Sequence, residues 1–128
     1  MKLEITTPGK LIYKGDINQA TMPGEAGEFG VLPDHAPLIS TLKNGVIGIV
    51  EENNSVRKIF VAGGFAEVNQ AECSVLASEA FDLENTSKDF AIDKLEHAKI
   101  RLKHAQNDLE KLLAEEEIEL YSSLSEAI

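Results

Sequence analysis

The sequence predicts two structural classes in strict order: an all-β sandwich or barrel over residues 1–87, then an α-helical hairpin over residues 88–128. Three observations carry this prediction. All nine glycines and all four prolines lie before residue 88. In that first part, apolar residues gather in short runs separated by turn residues, the texture of strands. Beyond it the chain is rich in Ala, Leu, Glu and Lys, with apolar residues three or four apart, the texture of helix.

The elements follow in order. Leu3 and Ile5 alternate with Lys2, Glu4 and Thr6, so one face of this first strand is apolar before Pro8-Gly9 turns the chain. Leu11 to Met22 is a second extended stretch, with Gly15-Asp16 expected as a bend or hairpin turn. The glycine-rich run from Met22 to Gly30 reads as a shaped, exposed β-loop. Val46–Val50 follows the turn signal Lys43-Asn44-Gly45, and the polar loop Glu51–Asn54 leads into Val56–Ala62. Gly63-Gly64 opens Phe65–Val68, and Cys73–Ala77 gives one more strand.

The helical part begins with Ser87 as the expected N-cap and Asp89 facing the positive end of the helix dipole. Ala91, Leu95, Ala98, Leu102, Ala105, Leu109 and Leu112 then form a stripe with alternating spacings of four and three. Alanine in such a stripe lets another backbone approach closely while leucine fills the space beside it, so the stripe calls for an antiparallel helix. Its phase breaks at Glu115-Glu116-Glu117, and Ile118, Tyr121, Leu124 and Ile128 resume a weaker pattern. The corner of the hairpin is therefore expected at the acidic interruption, with a short second arm.

Composition narrows the function. The chain has 128 residues, with 12 Lys and Arg against 22 Asp and Glu, a formal charge of −10. Both parts are acidic, with 6 basic against 12 acidic residues before position 88 and 6 against 10 after it. Such a chain is a poor match to nucleic-acid phosphates or anionic lipid headgroups, so no nucleic-acid partner is expected. At 43% hydrophobic residues it has material for a core, and no apolar run approaches the roughly 20 residues of a membrane span. The segment Met1–Ile5 has neither a signal-peptide core nor a transit composition, which points to a cytosol-like compartment. A single cysteine, Cys73, cannot form an internal disulfide and reads as a small buried hydrophobe.

The run Met22-Pro23-Gly24-Glu25-Ala26-Gly27-Glu28-Phe29-Gly30 lacks the Gly-Lys-Ser/Thr ending of a phosphate loop, and its two glutamates repel phosphate. His97 and His104 lie two helical turns apart and cannot share one metal ion, even with Asp93 and Asp108 nearby. Helix-surface hydrogen bonds are the expected role for both. His35 follows Asp34, and Ser40 is close in sequence, but no Gly-x-Ser-x-Gly elbow is present. Neither a catalytic constellation nor a cofactor motif emerges, and no metal site or cofactor is expected.

One stretch carries a specific resemblance. Gly27-Glu28-Phe29-Gly30-Val31-Leu32-Pro33-Asp34-His35-Ala36-Pro37-Leu38 resembles the hallmark of the epsilon subunit of F-type rotary ATP synthases. Leu42-Lys43-Asn44-Gly45, Gly63-Gly64-Phe65-Ala66-Glu67-Val68 and Val75-Leu76-Ala77 with Glu79-Ala80 match in register. The resemblance covers the chain from end to end. It implies an α+β protein in sequence order, an N-terminal antiparallel β-sandwich of about ten strands followed by a C-terminal two-helix antiparallel hairpin.

The implied function is a non-catalytic rotor subunit of the central stalk, coupling gamma to the c ring during ATP synthesis driven by proton or sodium flow. It would be a peripheral protein on the cytoplasmic face of the bacterial inner membrane. The family's c-ring loop maps to Glu25, Ala26, Gly27 and Glu28, and the segment beside gamma maps to His35, Ala36, Pro37 and Leu38. In many bacterial members the hairpin opens and its basic residues contact the catalytic subunits, stopping ATP hydrolysis. Here Lys99, Arg101, Lys103 and Lys111, all read as belonging to the first helix, are the residues available for alpha/beta contacts. Residues 114–128 hold no Lys or Arg, so they are expected to cap the Ala/Leu stripe instead.

Two rival classes remain distinguishable: an ATP-sensing regulatory binding module and an acyl- or phosphoryl-processing enzyme. The resemblance implies that ATP-binding members carry Ile/Leu-Asp-x-x-Arg-Ala on the second helix. The matching stretch is Ile118-Glu119-Leu120-Tyr121-Ser122-Ser123, which lacks the arginine fork a phosphate would use. Ile92-Asp93 is followed by Glu96-His97 and does not restore the motif. Weak or absent ATP binding is expected.

Overall fold

The computed structural model describes residues 1–128 and divides into two compact units, Met1–Asn85 and Thr86–Ile128. The first unit contains nine strands: β1 (Lys2–Thr7), β2 (Lys10–Gly24), β3 (Gly27–Val31), β4 (Leu38–Leu42), β5 (Gly45–Glu51), β6 (Val56–Ala62), β7 (Gly64–Val68), β8 (Glu72–Leu76) and β9 (Glu79–Asp82). Their hydrogen-bonded order is β1-β8-β7-β4-β2-β5-β6-β9, with β3 on β2 and β1 also paired to β2. The sheet thus folds back on itself around one core, to which Leu3, Ile5, Ile17, Met22, Ile47, Ile49, Ile59, Val61 and Val75 contribute. Leu3 and Ile5 are fully buried, worth about 2 kcal/mol each in apolar transfer, which ties β1 firmly into that core.

Gly15-Asp16 is not a turn. β2 runs through it for 15 residues, because its first half pairs with β1 (Lys2 opposite Asp16) and its second half with β5 and β3. The strand is accommodated by a register shift between Ile17 and Gln19 rather than by a reversal. One long strand thus serves four neighbours, β1, β3, β4 and β5, and the sandwich has nine strands where about ten were expected. The short strands β3, β4 and β9 were not individually legible as strands in the sequence.

A polar cluster joins β2, β5, β6 and β9. The Arg57 guanidinium from β6 meets Asp82 of β9 at 2.6 Å and lies over the Tyr13 ring, 5.8 Å from its centre. The Tyr13 hydroxyl donates to Glu51 Oε2 at 3.0 Å. Burial, and next the bond to Glu51, push the Tyr13 hydroxyl up to about 12.

The second unit is a pair of helices, α1 (Lys88–Lys103) and α2 (Asp108–Ala127). Ser87 caps α1, its Oγ accepting from Phe90 N at 3.1 Å. The corner lies at residues 104–107, not at the glutamate triplet, and the second arm is the longer one, 20 residues against 16. Asn107 caps α2 by accepting from Glu110 N at 2.8 Å, while Glu110 reaches back to accept from Gln106 N at 3.0 Å. The stripe accordingly splits. Ala91 and Ala98 are buried, but Leu109 and Leu112 are exposed, and α2 buries Ala114, Leu120, Tyr121 and Leu124 instead. Phe90 and Tyr121 meet edge-on with ring centres 6.5 Å apart, and Arg101 pairs with Glu117 across the two helices.

Candidate functional site

The glycine-rich segment becomes the tip of the β2–β3 hairpin, with Gly24 opposite Gly27 and Glu25-Ala26 as its two-residue turn. A side chain at Gly24 would stand 2.5 Å from the Gly27 carbonyl oxygen and 2.9 Å from the Phe29 ring, so the tip is compact because glycine occupies that position. Glu25, Ala26, Gly27 and Glu28 are all exposed. The tip is nevertheless held at its base. Glu25 N donates to Thr41 O at 2.9 Å and Lys43 N donates to Pro23 O at 3.0 Å. Two carboxylates are thereby presented on a braced support.

The His35 segment begins with a turn in which His35 N donates to Leu32 O at 3.1 Å. Asp34, at φ 65°, donates its own N–H to Gln70 O at 3.1 Å, anchoring the turn to the loop before β8. His35 Nδ1 lies 2.6 Å from Ala36 O, a hydrogen bond that requires the ring proton on Nδ1. Ser40 Oγ bonds to Thr41 O, so the histidine and the serine engage backbone rather than each other. Ala36 and Pro37 are exposed, and Leu38 starts β4 at the rim.

Strand register reveals a surface that local sequence does not. On β4, Leu38, Ser40 and Leu42 share one side and Ile39 and Thr41 the other, because side chains alternate along a strand. Thr41 pairs with Phe65, Phe65 with Leu76, and Leu76 with Thr6, giving one row across four strands. The next row is Ile39, Glu67, Ser74 and Glu4. Ile39 is therefore a diagonal neighbour of Phe65, within side-chain reach. Their exposures are 73% for Ile39, 46% for Phe65 and 42% for Leu76, an uncovered apolar face bordered by Glu67 and Glu4. No periodicity of one strand signals it; only the pairing of strands distant in sequence does.

The four basic residues do not converge. Lys99 pairs with Glu96 at 3.5 Å within α1, and Arg101 is engaged by Glu117. Lys103 ends α1, whereas Lys111 lies on α2 rather than on the first helix, because the corner comes earlier than the stripe implied. His97 Nδ1 lies 2.8 Å from Asp93 O, in a hydrogen bond of the helix-surface kind. Cys73 is buried, which pushes its thiol up to about 11.

Residues 1–82 match the family described as ATP synthase, Delta/Epsilon chain, beta-sandwich domain. The chain is 43% identical over 110 residues to the ATP synthase epsilon chain of Rhodospirillum rubrum, covering 86% of this chain and 82% of that one. It is 41% identical to the ATP synthase epsilon chain of a Nitratiruptor species, covering 84% of each. That of Hyphomonas neptunium is 33% identical, covering 100% of this chain and 96% of the relative. The fold is shared with a chain of the Euglena gracilis mitochondrial ATP synthase OSCP/F1/c-ring assembly, at a TM-score of 0.78 and 24% identity. That match covers 98% of this chain and 79% of the other.

Proposed function

The chain belongs to the ATP synthase delta/epsilon chain family, and we propose that it is a non-catalytic rotor subunit that couples gamma to the c ring during ion-driven ATP synthesis. The observation that carries this reading is the way β4 joins two exposed surfaces. Its first residue continues the His35–Pro37 segment, and near its other end Thr41 O receives Glu25 of the hairpin tip. Five strand residues span about 17 Å, so a load applied at one surface reaches the other through a single braced strand.

Gamma contacts His35, Ala36, Pro37 and Leu38 and continues onto Ile39, Phe65 and Leu76. The c ring meets Glu25, Ala26, Gly27 and Glu28, where the two carboxylates suit basic loops. An uncovered apolar face supports the first contact, since such a face is stabilised by a partner. Proline-fixed backbone beside it lowers the ordering cost of binding. No helix here is long and apolar enough to cross a membrane, in keeping with a peripheral position on the cytoplasmic face of the bacterial inner membrane, held there by the complex.

Residues 88–128 serve regulation, with Lys99, Arg101 and Lys103 of α1 and Lys111 of α2 available to the alpha and beta subunits. ATP binding is weak or absent, since Ser122 and Ser123 stand in the Arg-Ala positions and Glu117 already occupies Arg101. The test uses reconstituted complexes. Phe65→Ser and Ile39→Ser should lose gamma capture, whereas Glu25→Lys with Glu28→Lys should keep it and lose ion-driven synthesis. Undiminished gamma capture by both apolar variants, or normal coupling in the lysine variant, refutes the corresponding contact.

A further inference from the structure

We propose that Arg57 and Asp82 form a latch that holds edge strand β9 and the chain leaving it, and so sets how much free chain precedes α1. β9 is four residues long and pairs only with β6, so its ladder is short and its outer edge is open. Its side chains from Ala80 to Asp82 are only half-buried, in contrast to the fully buried Leu3 and Ile5 of β1. Apolar burial alone therefore holds β9 weakly.

The ion pair supplies a second hold at the strand's last residue. Arg57 is steadied by the Tyr13 ring of β2 while it binds Asp82 at 2.6 Å, with the two side chains 29% and 20% exposed. A pair this sheltered is screened less than a surface pair.

Asp82 passes that hold on to the residues behind it. Its Oδ1 accepts from Glu84 N at 3.0 Å, its Oδ2 accepts from Asn85 Nδ2 at 3.4 Å, and its carbonyl accepts from Asn85 N at 3.0 Å. Leu83 N is fixed to Lys58 O at 3.0 Å. One carboxylate thus organises the exit from the sandwich, and Ser87 is already committed as the cap of α1.

The fork is only half closed. Arg57 Nε is buried and has no hydrogen-bond acceptor, and Glu84 Oε2 stands 3.8 Å from it, beyond hydrogen-bond reach. A latch with one firm arm can release. Releasing residues 79–85 would add on the order of 23 Å of extended chain to the linker, at roughly 3.3 Å per residue.

Amide hydrogen exchange on the full-length chain tests this. Arg57→Leu removes the guanidinium, and Asp82→Asn removes the charge while keeping an Oδ1 that can accept from Glu84 N. Each should speed exchange of Phe81, Leu83 and Asn85, whose amides face β6 or Asp82, about tenfold, which corresponds to about 1.4 kcal/mol. The double variant should be no faster than either single, because both remove the same contact. Amides of Ile47 and Val75 should keep their protection. Unchanged exchange at Phe81, Leu83 and Asn85, singles that multiply in the double variant, or an equal rise at Ile47 and Val75 overturns the latch.

Discussion

Replacing Gly64 by alanine is expected to damage the sandwich far more than replacing its neighbour Gly63. Both have positive φ, +68° at Gly63 and +114° at Gly64, but their surroundings differ. A Cβ at Gly63 meets nothing within 4 Å. At Gly64 it would stand 2.1 Å from the Leu76 carbonyl oxygen and 2.8 Å from the Ala77 Cα. Both obstacles are backbone, so no rotamer change relieves them. Moving the carbonyl to ordinary contact distance shifts β8 by more than an ångström and breaks the Phe65–Leu76 pairing of β7 and β8.

Backbone strain of about 1–3 kcal/mol, plus one or two ladder hydrogen bonds at about 1 kcal/mol net each, gives a loss of about 2–5 kcal/mol. Gly63→Ala involves only its φ, about 1 kcal/mol. With a urea slope of about 1 kcal/mol/M for a unit this size, the midpoints should fall by about 2–5 M for Gly64→Ala and by about 1 M for Gly63→Ala. Equilibrium unfolding followed through the amide signals of Ala66 and Val75 makes the measurement. Equal midpoints for the two variants would refute the close-approach argument. Because Phe65 follows Gly64 directly, Gly64→Ala should also disorder the face proposed for gamma.

Two further outcomes follow from the same geometry. Asn107→Ala should destabilise α2 by about 1 kcal/mol and lower the melting point of the helical signal, while Ser122→Ala, away from the corner, should not; a silent Asn107→Ala would displace the corner from 104–107. The Tyr13 hydroxyl, raised to about 12 in the folded chain against an ordinary 10, makes stability fall as pH rises from 10 through 12, since the unfolded chain gives up that proton first. Tyr13→Phe should flatten this alkaline decline in urea midpoints measured from pH 9 to 12, and an unchanged slope would contradict it.

How far the sequence reveals this molecule depends on how local each signal is. The passage from strands to helices and the Ser87 cap were legible because glycine, proline and capping chemistry act over a few residues. Gly15-Asp16 misled because the same dipeptide suits a turn or an ordinary strand position, and the pairing with β1 decides for the strand. The helical corner misled for a different reason. Four corner residues stand in for about one helical turn, so the spacing of Ala105, Leu109 and Leu112 stays in phase across a break that periodicity cannot detect. The signal that locates the break was present, in the capping box Asn107-Asp108-Leu109-Glu110. The glycine-rich run from Met22 to Gly30, read as one exposed loop, is exposed at Glu25–Glu28 and at Gly30; Met22, Pro23 and Gly24 are buried in β2, because pairing with β3 continues to Gly24. The Ile39–Phe65–Leu76 face was not seen, because it exists only once residues 39 and 67, and 65 and 76, have been placed side by side.

The parallel pairing of β1 with β8 has a consequence for synthesis on the ribosome. Lys2 through Thr6 lie beside Glu72 through Leu76, and Ala77 N closes onto Thr6 O at 2.9 Å. The earliest strand to emerge can find β2 at once, but its other edge stays open until some seventy residues more have been made. Contacts this distant in sequence form slowly, and an unpaired apolar strand invites other chains meanwhile. The charges of Lys2 and Glu4, alternating with the buried Leu3 and Ile5, keep one face of the waiting strand soluble. The sandwich is therefore sealed late, by its first strand accepting its eighth. Only then is the row from Thr6 to Thr41 complete and the subunit ready for a partner.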